Sequence, residues 1–181
     1  QVTTTQGEYV FDRVIFACHG DQALSLLSDA SAEEQEILSC FEYSDNTMYL
    51  HHDVRALPVQ KKHWASWNVI HQRSEQSQDA HHQYSISYWM NLLQGLPVST
   101  PIITTLNPIE PLDSGKIWLK REYQHPKYSQ AAYAAQPRWR QINKAPRYFC
   151  GAYWGWGFHE DGVNSAYNTL DALKDDWHED R

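Results

Sequence analysis

Residues 148–173, YFCGAYWGWGFHEDGVNSAYNTLDAL, set a short apolar strand, a run of glycines and large rings, and then helical spacing in one continuous stretch. Tyr148 to Cys150 reads as the strand. Gly151, Gly155 and Gly157 follow, and a helix is predicted from near Gly162, with Val163, Ala166, Leu170, Leu173 and Trp177 at three-and-four spacing. Small residues on its first turns, Gly162, Ser165, Ala166 and Thr169, would let a large ligand approach backbone closely. Free N–H groups at such a helix start carry roughly half a positive charge, which suits a phosphate or a cofactor atom that turns negative on reduction. A helix N-terminus made of tight turns and nothing more fits the same letters.

The N-terminal region supplies a second strand of the same kind. Residues 9–18 end in a β-branched and aromatic run, the pattern of a strand buried on both faces in a parallel sheet. Asp21 stands where an N-cap should, before Ala23, Leu24 and Leu27, and Ser31 with Glu34 has capping-box spacing ahead of Ile37, Leu38 and Phe41. The middle changes period. Met48, Leu50 and His52 alternate with Tyr49, His51 and Asp53, and Tyr84, Ile86, Tyr88 and Met90 alternate with Ser85, Ser87, Trp89 and Asn91. With Ile102 to Leu106 and Ile117 to Lys120, this predicts an antiparallel sheet of roughly four or five strands, with His71 to Gln83 as a polar hairpin loop. From His125 to Asn143 the spacing is helical again. The expected class is α+β, in segments 1–44, 45–122 and 123–181.

Composition limits what such a chain can do. With 181 residues, 41% hydrophobic and 20% charged, it can bury a real core. A net charge of -7 and the lack of a Lys/Arg stripe argue against a nucleic-acid reader. No apolar run approaches the roughly 20 residues of a membrane helix, so no transmembrane segment is expected. Cys18, Cys40 and Cys150 lack CxxC spacing, which argues against a disulfide framework and a thiolate zinc site and fits a reducing, cytoplasmic setting. The start at Gln1 and the early strand read as an excerpt of something longer.

The histidines do not make a metal site. His51 and His52 fall on opposite strand faces and His81-His82 falls in the polar loop, while His159-Glu160-Asp161 lacks four-residue histidine spacing. No GxSxG elbow occurs. The aromatics Trp64, Trp67, Tyr88 and Trp89 fit either rings filling a β core or the lining of an apolar ligand site.

Tyr148-Phe149-Cys150-Gly151-Ala152, followed by Gly157 and Gly162-Val163-Asn164-Ser165-Ala166, resembles the last FAD-binding motif of the flavin-containing amine oxidase superfamily. Asp12 to Cys18, DRVIFAC, resembles that superfamily's strand returning to the FAD domain. Seven ordered blocks are similar to its bacterial "predicted NAD/FAD-binding" branch: Ala17–Leu24, Leu50–Asp53, Trp64–Asn68, Tyr88–Gln94, Leu106–Pro108, His125-Pro126 and Gly157–Gly162. The chain departs from the superfamily in lacking GxGxxG, in Cys18 where Thr is common, in Ala152-Tyr153 where a Glu often follows, and in offering no match for a Lys near the flavin.

The resemblance implies the C-terminal part of an FAD-linked reductase fold. An antiparallel substrate-domain sheet (45–122) would be flanked by a returning FAD-domain segment (1–44) and a closing helix-strand-helix segment (123–181). It implies an FAD-dependent oxidoreductase oxidising an amine or an apolar small molecule by hydride transfer, with a lipid or carotenoid-type desaturase as the nearest alternative. A non-catalytic β-rich binding or docking module is the rival from another class. Cofactor-binding residues would be Gly151, Ala152, Tyr153, Trp154, Gly157, Phe158, Glu160, Asp161, Gly162, Val163 and Ser165. His52 and His159 would be the catalytic polar groups, and Trp64, Trp67, Tyr88 and Trp89 would line the substrate. Without GxGxxG the excerpt alone is expected to be inactive and to hold no stoichiometric FAD, and its uncovered apolar surface predicts self-association.

Overall fold

A computed structural model of the chain describes residues 1–73 and 82–179. The strands are β1 (Val2–Thr4), β2 (Gly7–Tyr9), β3 (Val14–Phe16), β4 (Tyr43–His51), β5 (Trp67–Arg73), β6 (His82–Trp89), β7 (Ile103–Leu106), β8 (Ile117–Pro126) and β9 (Arg147–Phe149). The helices are α1 (Gly20–Leu26), α2 (Ala32–Leu38), α3 (Met90–Leu93), α4 (Gln130–Ala135), α5 (Trp139–Ile142) and α6 (His159–Glu179). The fold is α+β, and the chain forms two compact units: Gln1–Ser44 with Pro126–Arg181, and Asp45–His125.

In the first unit β3 and β9, far apart in sequence, pair in parallel with Val14 opposite Arg147 and Phe16 opposite Phe149. The Phe16 and Phe149 rings stack at 5.1 Å across this ladder. Around Phe149 a core forms from Ala23, Ile37, Leu38, Ala132 and Ile142, which come from α1, α2, α4 and α5, and from Phe41 just after α2. Each large side chain removed from water there contributes roughly 1.5–3 kcal/mol. The capping box that opens α2 is formed: Glu34 N–H donates to Ser31 Oγ at 3.2 Å, and Ser31 N–H to the Glu34 carboxylate at 2.7 Å. Glu34 also meets Arg147 Nε of β9 at 3.0 Å, which ties α2 to the parallel pair.

Several boundaries differ from the sequence expectation. The strand expected over 9–18 is split, β2 pairing antiparallel with β1 and only Val14–Phe16 joining β9. His19, rather than Asp21, is the N-cap of α1. The polar loop expected over 71–83 is narrower, since His71 to Arg73 and His82 onward belong to the β5–β6 ladder. The rest of that loop, including His81, lies outside the described residues. Pro126 ends β8, and the helical stretch after it is broken at Pro137 into α4, a short 3₁₀ turn and α5.

The second unit is a five-stranded sheet in the order β5-β6-β7-β4-β8, with antiparallel neighbours. Its buried face is unusually polar, with fully buried Ile103 beside His51 in register. On one face His51, Asn68, Ser87 and Thr105 are buried. On the other, Val69, Ile86, Leu106 and Met48 are opposite one another in register across four strands, yet none is buried and Val69 is 63% exposed.

Candidate functional site

The strand-turn-helix at residues 147–179 is built around its own glycines. Cys150 N–H donates to Phe16 O at 2.9 Å, holding the carboxyl ends of β3 and β9 level. A Cβ at Gly151 would lie 2.5 Å from the Tyr153 ring. One at Gly155 would overlap the Asp161 carboxylate, and one at Gly157, whose φ is +84°, would overlap the Tyr128 hydroxyl. Three of the four glycines are therefore required by the chain's own packing. Gly162 is different. It lies in the first turn of α6, and a Cβ there would meet only the Ala152 methyl, at 3.9 Å. A glycine inside a helix costs about 1 kcal/mol relative to alanine, and nothing within the described residues asks for this one.

The helix begins at His159, three residues before Gly162, so Gly162 N–H is already bonded to Phe158 O at 3.2 Å. This corrects the expectation that free N–H groups start at Gly162. Asp161 is corrected too: its Oδ2 accepts the backbone N–H groups of Trp156 (3.1 Å) and Phe158 (2.9 Å), so the carboxylate closes the loop. Ser165 is buried, accepts from Gly151 N–H at 2.9 Å and donates to Gly162 O at 2.8 Å, as a clamp between strand end and helix. Tyr153 belongs to the core against Phe41, with ring centroids 4.8 Å apart. Burial pushes its phenol well above the ordinary range, and its hydroxyl has no partner among the described residues. These three side chains are engaged within the chain, Tyr153 in the core, Asp161 in loop closure and Ser165 in the clamp.

What remains accessible is a narrower set. Phe158 is 71% exposed, and His159, Glu160 and Val163 are exposed around the half-buried Gly162. Trp154, whose Nε1 donates to Phe149 O at 3.0 Å, lines a cleft of about 440 Å³ on the flank of α6 with Trp139, Asn164 and Asn168. The flavin edge implied by the resemblance fits this set on one observation, a first-turn glycine where a Cβ would meet only the Ala152 methyl, at 3.9 Å.

The four aromatics of the sheet unit do not form one lining. Trp67 and Tyr88 are register partners whose rings meet edge-on at 5.4 Å on the exposed face. Trp89, one residue on, points to the opposite face and packs edge-on against Trp64 at 5.2 Å. The Trp64 indole donates to Pro58 O at 2.7 Å. His52 follows the end of β4 and stacks on Trp118 at 4.9 Å, and its Nδ1 is buried without a partner among the described residues.

The neighbouring His51 is the better-organised group. Asp53 N–H donates to His51 Nδ1 at 3.1 Å, so the neutral ring carries its proton on Nε2, which donates to Thr105 Oγ1 at 2.7 Å. Thr105 in turn shares a hydrogen bond of 2.9 Å with Ser87. Burial holds the His51 pKa down to about 4. Asp53 accepts from Arg55 Nε, Arg55 Nη2 (2.5 Å) and Asp113 N–H (2.9 Å). Its carboxyl is held far below the usual range, chiefly by the Arg55 guanidinium. Sequence reading assigns His51, Asp53, Arg55, Ser87 and Thr105 no site role, although Leu50–Asp53 is one of the quoted blocks and His51 is weighed as a metal ligand. Polar residues at alternate strand positions look the same for a solvated face. Among the described residues no cluster of metal-ligating side chains occurs, and no helix is long and apolar enough to cross a membrane.

No protein-family model matches the chain, and no curated protein is significantly similar to it.

Proposed function

We propose that this chain is the C-terminal part of an FAD-dependent oxidoreductase. The observation that carries the reading is Gly162: a helix glycine with room for a side chain that the chain's own packing does not use, one turn into a helix that follows the carboxyl end of a parallel strand. Ligands of open parallel sheets bind at that end of the strands. Bound flavin would supply the hydride acceptor. The first N–H groups of α6, at His159 and Glu160, have no intrahelical acceptor, and the helix dipole makes them a favourable neighbour for an oxygen gaining negative charge. Phe158 and Trp156 offer exposed ring surface beside them to exclude water. The ADP half of the cofactor would be held by residues outside these 181, because no GxGxxG occurs among them.

The exposed sheet face favours an apolar substrate over an amine. Trp67, Val69 and Tyr84 present rings and methyls without a carboxylate among them, as a dehydrogenated hydrocarbon would require. The reading is tested on the polypeptide that joins this chain to its upstream reading frame. That frame should contain a strand, GxGxxG and a helix, and the purified protein should be yellow. Gly162→Trp should remove the colour while leaving the far-UV circular dichroism unchanged. A fully folded, colourless full-length protein would instead point to a binding or docking module.

A further inference from the structure

The buried polar face of the sheet carries a second, unrelated feature: a cavity of about 520 Å³ lying wholly within the Asp45–His125 unit. Its size is that of small-molecule sites. Ala56 and Ile70 on one side and Ile109 and Leu112 of the Pro108–Leu112 segment on the other give it apolar walls, interrupted by Gln72 and Glu110. Its floor is hydroxyl. Thr105 is fully buried and fixed between His51 and Ser87, while Ser85 donates its proton to Leu106 O at 3.2 Å and therefore offers lone pairs only.

Two donor-bearing side chains line this space, Gln72 and Arg55, and of these Arg55 is fixed by an ion pair. Arg55 is locked on Asp53 through Nε and Nη2, and its Nη1 has no hydrogen-bond partner among the described residues. The charges around it cancel in pairs. Asp53 compensates Arg55, and Lys116 lies 3.5 Å from Asp113 and 3.8 Å from Asp53. Glu110 alone is left, exposed and in water, where an ion pair is worth little. A carboxylate head would meet a guanidinium already neutralised by Asp53, and an ammonium head would meet only the solvated carboxylate of Glu110 on the cavity wall. A neutral oxygen acceptor would give Nη1 a hydrogen bond without taking a second charge out of water.

We propose that this cavity binds an uncharged, largely apolar molecule bearing a carbonyl oxygen, with the oxygen on Arg55 Nη1 and the hydrocarbon against Ile70 and Leu112. The site shares no residue with the helix start discussed for flavin, so its failure would leave that reading untouched.

The test uses the full 181-residue chain and three probes of equal length: 2-octanone, octanoate and octylamine. Binding is read by calorimetry and by the amide shifts of Ser85, Thr105 and Leu112. The ketone should bind at least about tenfold more tightly than either ion, shift those three amides, and leave the Trp67 and Tyr88 amides in place. Ile70→Trp, which fills the cavity from the sheet, should abolish binding. Leu112→Trp does the same from the covering segment should the first variant lose its cooperative melt. Arg55→Lys should weaken the ketone and leave a matched alkane unaffected. Tightest binding by octylamine or octanoate, shifts confined to the Trp67 face, or no binding by any probe would each overturn the proposal.

Discussion

Glycine is the residue on which the C-terminal segment turns, and its four copies separate by what the chain itself demands. Gly157→Ala forces an L residue to positive φ against the Tyr128 hydroxyl and should cost at least about 1–2 kcal/mol. Gly162→Ala should do the opposite in this chain, raising stability by about 0.5–1 kcal/mol in a chemical melt, since the helix gains a better former and loses no contact. A loss of stability at Gly162 would mean that a Cβ does not fit there after all. His51 and Asp53 give a pH signature at the same scale. Burial lowers the His51 pKa to about 4, so the unfolded chain takes up a proton first; stability is full above the unfolded value near 6.5 and falls as pH drops from there to about 4. The loss should be on the order of 3 kcal/mol, and His51→Gln should flatten the slope in that window. Asp53 acts lower. Its depressed pKa keeps its contribution intact above about pH 4 and surrenders it below. Melts at stepped pH would show one slope in each window for the wild type, and only the lower one for the His51 variant.

At the scale of elements, helix α6 shows what periodicity can and cannot give. Val163, Ala166, Leu170, Leu173 and Trp177 at three-and-four spacing predict the helix, and a 21-residue helix is there. Its inward edge, however, is Ser165, Thr169 and Ala172, all buried, while Val163, Leu170 and Trp177 are exposed. The strand sets this choice, because Thr169 Oγ1 donates to Phe149 O at 3.2 Å and only small side chains allow α6 so near β9. Asp176 adds the far tether, accepting from Tyr148 OH at 2.5 Å and Ala145 N–H at 2.7 Å. Thr169→Leu should therefore overpack and cost about 1–3 kcal/mol. Leu170→Gln should leave the melt within about 0.5 kcal/mol and reduce concentration-dependent association in sedimentation, an outcome that an unchanged association constant would contradict. The sheet repeats the lesson. The alternation at Met48–Asp53 and Tyr84–Asn91 announces strands, but which face is buried depends on hydrogen bonds such as His51 to Thr105, 54 residues apart, and no local pattern carries that.

At the scale of the whole molecule, the chain holds two compact units of different character. One is built on a parallel strand pair feeding a glycine-marked helix, and the other is an antiparallel sheet that buries His51, Asn68, Ser87 and Thr105 with Ile103 on one face and leaves Trp67, Val69 and Tyr84 exposed on the other. The capping box at Ser31, the strand into Cys150 and the helix after the glycines are legible locally, since each depends on neighbours within a few residues. The candidate site is legible only in part. Tyr153, Asp161 and Ser165 share the motif's spacing, yet the fold uses them for core, loop closure and clamp. Gly162 is the position where spacing and open geometry coincide. The most direct measurement is the flavin released on denaturing the purified full-length polypeptide that contains this chain. The flavoenzyme reading predicts about one FAD per chain, sharply reduced by Gly162→Trp in a protein that still folds. A folded full-length protein that releases no flavin would contradict it.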